Sequence, residues 1–398
     1  MHTADEIRGS KSKRLSKKRI VLAVTGSIAA VETIKLSREL IRHGAEVFPV
    51  MSPSASNIIH PDSLWFATGN KPIVELTGAT EHVSFCGRVN KPADLLLISP
   101  CTANTISKIA HGIDDTVVTT FATTALGSGV PILIVPAMHI SMYNHKIFQE
   151  NIKKCKNVGI EFIEPLIEKN TAKMADVDEI VSNVIRKTGK HDLSKKKILI
   201  IGGPTAEAID DVRLITNRSS GKTAIWLAIN AFYMGADVEL WYGLGGKYPP
   251  NYIKTINFES IDDILKLIES KGIKNFDIII VCAALSDYIP KKQKGKIPSG
   301  KSKLIIEMTP APKIITSLRK KAPNSKIIGF KVEDSTVKLK EKAINLLKKN
   351  NLDFVVANTI TGFDKDENEI WIIDKKGKSF HKKDKKEQLA SHILDAVK

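Results

Sequence analysis

Residues 24–30, VTGSIAA, set a glycine between two hydroxyl side chains, directly after an apolar run. If a helix starts there, its free backbone N–H groups and positive dipole end suit an anion, typically a phosphate. The signal is weak alone, because many strand-to-helix turns carry such residues merely as caps. Residues 99–105, SPCTANT, repeat the arrangement, and residues 136–143, PAMHISMY, offer a third polar edge after an apolar run. A fourth stretch, GGPTAEAIDDVRLITNRSSGK at 202–222, ends like a phosphate loop yet fails GxxxxGK[ST], whose first glycine would fall on Thr216. Residues 295–302, GKIPSGKS, satisfy that pattern formally. A phosphate loop needs a buried strand before it and a helix after it, so that N–H groups converge on phosphates. Here a charged loop precedes the match, a strand-like segment (303–308) follows it, and Pro298 lacks a donor N–H. The match is therefore expected to be accidental.

The elements around these stretches alternate in the doubly wound α/β manner. Strands are expected at 19–24, 46–51, 95–99 and 132–136, with a helix after the first glycine turn closed by Gly44. Continuous apolar runs between amphipathic segments indicate mainly parallel sheets covered on both faces. The pattern restarts at KKILIIGGPT, with a helix over about 221–234 and strands at 277–283, 327–330, 354–357 and 369–374. Two domains are thus expected: 19–186 and 197–398, joined by a polar linker at 187–196 and preceded by a disordered basic tail at 1–18. In open parallel sheets, turns of this kind lie at the carboxyl edge, where ligands bind.

Composition narrows the function classes. At 398 residues the chain is long for one core and suits two domains of roughly 200 residues. No apolar run approaches the ~20 residues that span a bilayer, and the tail lacks a signal peptide's apolar core, so a cytoplasmic location is expected. Four scattered cysteines without a CxxC pair indicate neither a disulfide scaffold nor a zinc site. The net charge of +17 raises nucleic acid as a partner. The lysines are spread over helical faces and loops without RNA-type aromatic motifs, so solvated surface and attraction for phosphorylated small molecules are expected instead. A nucleic-acid-associated P-loop protein stays as the competing class.

The first half resembles the flavin-dependent cysteine decarboxylases, a flavoprotein-type family that includes phosphopantothenoylcysteine decarboxylases. Gly26 to Ala29 match the family's G-S-I-A, EHVSF at 81–85 its H-[IV]-x-[LF], 100–105 its P-A-S-A-N-T, and 136–143 its P-x-M-N-x-x-M-[WY]. The resemblance implies FMN held by Gly26, Ser27, Ile28, Pro100, Thr102, Ala103 and Asn104. It implies His82 as the catalytic base, and a substrate carboxylate at His139 and Met142. The flavin would oxidise the thiol-bearing carbon so that carbon dioxide can leave, then return the electrons. Two departures stand out. His139 replaces the family asparagine, and the flap pattern A-C-G-x-x-G-x-G-R-M meets KNTAKMA at 169–175, without its cysteine proton donor. A second possibility is therefore a working ligase whose first domain binds flavin but is impaired.

The second half resembles the phosphopantothenate–cysteine ligases, with a Rossmann-like sheet. GGPTAE, DDVRLITNRSSG, AALSDY, Lys296-Ile297, Gly329-Phe330 and LDFVVAN at 352–358 follow that family's motifs in order. Both families in this order characterise bifunctional enzymes of coenzyme A biosynthesis. The resemblance implies a nucleotide, CTP or alternatively ATP, that activates the carboxylate of 4′-phosphopantothenate before L-cysteine attacks. Asn217 would hold the acyl group, and Ser219, Ser220 and Gly221 the substrate. Val281, Cys282, Ala283, Asp287, Lys296, Pro312, Lys313, Ile314, Ile315, Phe330, Lys342 and Lys349 would bind the nucleotide. A divalent cation, Mg²⁺ or Mn²⁺, would bridge phosphates, with no ligands assigned. Nucleic acid and membrane are not expected partners; ligase dimers and flavoprotein trimers are.

Overall fold

The computed structural model describes residues 2–300, 302–362 and 365–398. They fall into two compact units, 1–189 and 190–398.

In the first unit the strands are, in chain order, Arg19–Val24 (β1), Glu46–Met51 (β2), Leu95–Cys101 (β3), Ile132–Pro136 (β4), Met138–His139 (β5), Glu161–Phe162 (β6), Leu166–Glu168 (β7) and Thr171–Lys173 (β8). A parallel sheet runs β2-β1-β3-β4-β6, and a small antiparallel sheet runs β5-β8-β7. The apolar runs of β1, β3 and β4 are buried on both faces, as a helix-covered parallel sheet requires. Strand order reverses at β1, which has β2 on one side and β3 on the other. The gap between the exits of β1 and β3 is therefore a switch point, where ligands bind in such sheets.

The second unit contains Lys197–Gly202 (β9), Ala206–Ala208 (β10), Leu214–Thr216 (β11), Asp237–Tyr242 (β12), Lys254–Asn257 (β13), Ile278–Val281 (β14), Tyr288–Pro290 (β15), Met308–Pro310 (β16), Lys326–Glu333 (β17), Phe354–Thr359 (β18), Glu367–Asp374 (β19) and Ser379–Lys385 (β20). Eight of them form one sheet in the order β13-β12-β9-β14-β17-β18-β19-β20. The first six are parallel and the last two antiparallel. One face is covered by Lys222–Tyr233 and Lys386–Val397, the other by Ile261–Ser270, Ile314–Lys321 and Leu339–Lys349. The order reverses at β9, which places a second switch point between β9 and β14.

Two expectations need correction. The basic tail is ordered: it starts with a short helix, Thr3–Glu6, and buries Ala4 and Leu15 completely. Gly9 N donates to Ile41 O (3.0 Å) and Leu15 N to His43 O (2.8 Å), capping the last turn of the helix Thr33–Arg42. Lys11 pairs with Glu39 and Arg8 with Asp5, so part of the basic character is locally neutralised. The boundary between the two units, after Gly189, falls within the stretch 187–196 read as a linker. Val177–Thr188 is helical, and Leu193 is buried in the second unit with its N–H on Met234 O. Finally, 303–307 form no strand; the strand is Met308–Pro310, paired with β15. Apolar residues in that stretch stay in solvent, Ile305 being 73% exposed, so the run has no core to join.

Among the described residues no helix is long and apolar enough to cross a membrane. If the N-terminal segment is part of the fold, Leu15→Ala should lower unfolding free energy by about 2–5 kcal/mol. Chemical denaturation followed by a first-unit probe measures this, and unchanged stability would return the segment to an unstructured tail.

Candidate active sites

The first site forms where the exits of β1 and β3 are tied together. Thr25 Oγ1 donates to Pro100 O (2.9 Å) and accepts from Thr102 N (3.0 Å). This brings two turns side by side. Ser27 caps the 3-10 turn Ile28–Glu32 that leads into Thr33–Arg42, and Thr102 caps the helix Ala103–Ala110. Gly26 is required here by close approach, since a Cβ would stand 2.4 Å from the Ser54 Cβ. Ala137 N on Cys101 O (3.1 Å) adds the exit of β4.

A cleft of about 800 Å³ results. Gly26, Ser27, Ile28, Thr102, Ala103, His139 and Met142 all line it, so seven residues singled out from sequence converge. Pro100 is buried within β3 and Asn104 faces solvent on the first turn of its helix; neither lines the cleft. The hairpin β7–β8 forms one wall, with β8 paired to β5, and contributes Thr171, Lys173 and Met174. His139 caps the following helix through Nδ1, which accepts from Ser141 N (3.3 Å), leaving Nε2 outside that bond. The volume falls within the range for small-ligand sites. Hydroxyls and N–H groups at one end, with Ile28 (78% exposed) and Met142 (47% exposed) bare beside them, suit a phosphate attached to a flat apolar ring. The donor set therefore fits a flavin mononucleotide.

His82 lies elsewhere. It sits on the helix Glu81–Cys86, its Nδ1 is buried without a hydrogen-bond partner, and it is not among the residues lining the cleft. The hairpin carries no thiol. All four cysteines are free; burial pushes Cys86 up to about 12, Cys155 up to about 11, and Cys101 well above its ordinary value. Cys155, with Sγ on Ile106 O (3.9 Å), is a packed core residue.

The second site is built by 202–222 folding back over the β9–β14 gap. Thr205 N donates to Ala284 O (3.1 Å), Ala284 N to Gly203 O (3.0 Å), and Asn217 Nδ2 to the same Ala284 O (3.0 Å). Gly221, at φ +70°, then turns the chain into the helix Lys222–Tyr233; a Cβ there would strike Tyr242 Oη at 2.1 Å. A small pocket of about 130 Å³ opens at this helix start. Ser219, Ser220, Gly221, Cys282, Ala283 and Phe330 line it, as singled out from sequence. Burial pushes the Cys282 thiol up to about 12, which leaves it neutral.

The other sequence candidates do not line this pocket. Val281 is buried in β14. Asp287 pairs with Lys313 (2.7 Å), next to Pro312; Ile314 is buried and Ile315 half-buried on the helix that follows. Lys342 sits on Glu333, which Lys331 (2.7 Å) also contacts, and these lysines hold that carboxyl below its usual range. Lys349 is exposed at its helix end. Lys296 is exposed on a loop held from both sides. Gly295 N donates to Asp211 Oδ2 (2.8 Å) and Ile297 N to Asp210 Oδ2 (3.0 Å). The formal P-loop match thus follows a loop, the short strand β15 having ended at Pro290, and leads into β16 rather than a helix; its Lys301 lies outside the described residues. Sequence reasoning missed Gly203, Lys222, Asn358, Asn368 and Lys386, which also line the pocket. Asn358 closes the LDFVVAN motif and Lys222 follows Gly221, so both were within reach. Asn368 and Lys386 come from the antiparallel end of the sheet and carry no local signal. No group of three or more potential metal-ligating His, Cys, Asp or Glu occurs among the described residues.

Comparison with known proteins agrees with this division. Residues 8–189 match the family described as Flavoprotein, and 193–398 match the DNA/pantothenate metabolism flavoprotein C-terminal domain. The chain is 45% identical to a coenzyme A biosynthesis bifunctional protein CoaBC of Thermococcus kodakarensis, covering 100% of this chain and 99% of that one. It is 40% identical to the protein of the same description from Methanocaldococcus jannaschii, covering 100% and 98%. Among solved structures, the C-terminal domain of a CoaBC protein is 31% identical over 52% of this chain and 96% of that one, with a TM-score of 0.45.

Asp210 offers a direct check of the second site's construction. It is buried, and the Ile297 N–H above all, with Val212 N, Arg213 N and the Arg213 guanidinium, holds its carboxyl well below the usual range. Such a group stabilises the fold at every pH above its unfolded value of about 4, and that contribution fades as pH falls toward the folded value. Asp210→Asn should speed amide hydrogen exchange at Ile297 and Gly295 at neutral pH. Unchanged exchange would show that the loop is held otherwise.

Proposed function

From the premise that this chain belongs to the family of bifunctional coenzyme A biosynthesis proteins, uniting a decarboxylase flavoprotein domain with a phosphopantothenate–cysteine ligase domain, we propose the following division of labour between its two sites. The second unit joins L-cysteine to 4′-phosphopantothenate at the β9–β14 gap, and the first removes the cysteine carboxylate at the β1–β3 cleft. The observation that carries this is the convergence of Ser219–Ser220–Gly221, Cys282–Ala283 and Phe330 on one pocket, with Asn217 anchored on the adjoining Ala284 carbonyl.

In the ligase unit, the start of Lys222–Tyr233 and the Ser219 and Ser220 hydroxyls receive the substrate phosphate. Lys222, though paired with Asp366, keeps the pocket electropositive. With Nδ2 committed to Ala284, Asn217 presents its Oδ1 and second amide hydrogen to the acyl group without adding charge. The carboxylate attacks the α-phosphorus of CTP, or of ATP in its place, to give an acyl nucleotide with release of pyrophosphate, and the cysteine amine then displaces the nucleoside monophosphate. Lys296 meets the triphosphate from its latched loop, Asp287 the ribose, and Lys342 and Lys349 the outer phosphates. Main-chain groups from Val281 to Ala283, at 312–315 and near Phe330 read the base. Mg²⁺ or Mn²⁺ would ride on the phosphate oxygens, since the described side chains form no metal cluster.

In the decarboxylase unit, FMN fits the cleft with its phosphate at Gly26–Ser27–Ile28 and near Thr102 and Ala103. Bound flavin supplies reversible two-electron chemistry at the thiol-bearing carbon. His139 donates to the substrate carboxylate until carbon dioxide leaves, Met142 packs the chain beside it, and the β7–β8 hairpin limits water. His82 takes the thiol proton. Because it lies outside its own chain's cleft, we infer that His82 acts in the cleft of a neighbouring copy, within a trimer. The two-stranded sheet of β15 and β16, with Tyr288 and Met308 exposed, is the corresponding candidate contact for a ligase dimer. We place the enzyme in the cytoplasm.

The thiol-free hairpin favours a second reading, in which the first unit decarboxylates but returns electrons poorly. Incubation with phosphopantothenate, cysteine, FMN and each nucleotide, followed by mass spectrometry, separates the two. 4′-Phosphopantetheine supports the first reading, and a product lighter by two hydrogens supports the second. His82→Asn should abolish carbon dioxide release and spare ligation, whereas Asn217→Asp should block ligation and still release carbon dioxide when phosphopantothenoylcysteine is supplied directly, the condition under which both variants are compared. Loss of both activities in either variant would contradict independent sites. Mixing His82→Asn with His139→Ala subunits should restore part of the decarboxylase activity if the cleft is shared; no recovery after subunit exchange would confine each site to one chain.

A further inference from the structure

Glu207 is a buried carboxyl group that neither activity above employs. It is 3% exposed, on β10, immediately behind the β9–β14 gap. Ile261 N, in the first turn of Ile261–Ser270, donates to Glu207 Oε1 (3.1 Å). The hydroxyls of Thr205 and Ser286 stand against the same carboxyl group. They bond each other, Oγ1 to Oγ, at 2.9 Å, and Thr205 Oγ1 accepts from Ser286 N (2.9 Å). Burial raises the titration of Glu207 above the usual carboxylate range, against the opposing pull of the Ile261 N–H and the two hydroxyls.

The Thr205–Ser286 pair is connected to the substrate pocket. Thr205 N donates to Ala284 O (3.1 Å), and Thr205 O accepts from Thr216 Oγ1 (2.8 Å), one residue before Asn217. Ala284 O is also the acceptor for Asn217 Nδ2 (3.0 Å). Both ends of the Asn217 side chain's anchorage thus pass through Thr205. We propose that Glu207 is a positioning residue for the ligation step, fixing Thr205 and Ser286 so that the Ala284 carbonyl holds the Asn217 carboxamide toward the acyl group. This rests on the role given to Asn217 above.

A role confined to capping Ile261–Ser270 would affect stability alone, so the test separates the two. Pyrophosphate release with phosphopantothenate, cysteine and CTP is measured for the full-length protein. Glu207→Gln keeps an acceptor for Ile261 N and a donor for the hydroxyls, and should retain kcat. Glu207→Leu should lower kcat about tenfold to a hundredfold, as misplacement of a reacting group does, with the KM for CTP unchanged. Thr205→Val should do the same and carries the test if Glu207→Leu does not fold. Combined with Asn217→Ala, either change should cost little further, because both remove one arrangement. Losses that multiply, unchanged kcat in folded Thr205→Val, or a kcat loss in Glu207→Gln equal to that in Glu207→Leu would overturn the proposal. Full activity of Asn217→Ala alone would instead remove the role of Asn217 itself.

Discussion

Each unit depends on one kind of bond: a cross-link between the exits of two adjacent parallel strands at the point where strand order reverses. In a parallel sheet the chain leaves each strand at the carboxyl edge with backbone groups that the ladder no longer satisfies, and buried groups of that kind must find partners. In the first unit Thr25 does this, donating to the exit of β3 and accepting from it. In the second, Ala284 O accepts from Thr205 N and from the Asn217 side chain. The cross-links decide which turns become neighbours. Gly26–Ser27 meets Thr102–Ala103 in one cleft, and Ser219–Gly221 meets Cys282–Ala283 in the other pocket. The two sites differ in ligand, yet both use a bonded switch point with a helix start beside it.

Much of this was legible in the sequence, for identifiable reasons. The strand expected at 19–24 is β1, that at 46–51 is β2, and that at 132–136 is β4, because runs buried on both faces leave little choice of phase. The strand-to-helix turns were legible because glycine and hydroxyls occur together there only where geometry or capping requires them. The ordered N-terminal segment was not legible, because its contribution to the core is only Ala4 and Leu15 among polar residues. Nor were Lys386 and Asn368, which reach the second pocket from a strand and helix that fold back antiparallel late in the chain. The latch between Asp210 and Ile297 likewise joins residues far apart in sequence with no shared periodicity. Local pattern reports the phase of an element; it does not report which distant loop an element's exit will meet.

The charge balance follows the same architecture. The chain is strongly basic, with a formal charge of +17. Many of its lysines hold neighbouring carboxylates in exposed pairs, such as Lys108 with Asp115 and Lys321 with Glu269, which contribute little each. Those that matter for anionic substrates stand at the edges of the sites: Lys35 and Lys173 at the first cleft, Lys222 and Lys386 at the second pocket. At the second pocket no acid stands among the described lining residues, so Lys222 and Lys386 favour phosphorylated molecules there, whereas Glu32 and Asp176 balance Lys35 and Lys173 at the first cleft.

Isotope exchange tests most directly the claim that 202–222 is where a carboxylate is activated. With phosphopantothenate and CTP but no cysteine, labelled pyrophosphate should appear in CTP, because an acyl nucleotide forms reversibly before the amine arrives. Pantothenate without its phosphate should support much less exchange, since the Ser219–Gly221 pocket would be empty. Exchange that occurs without phosphopantothenate, or that never occurs until cysteine is added, would contradict this.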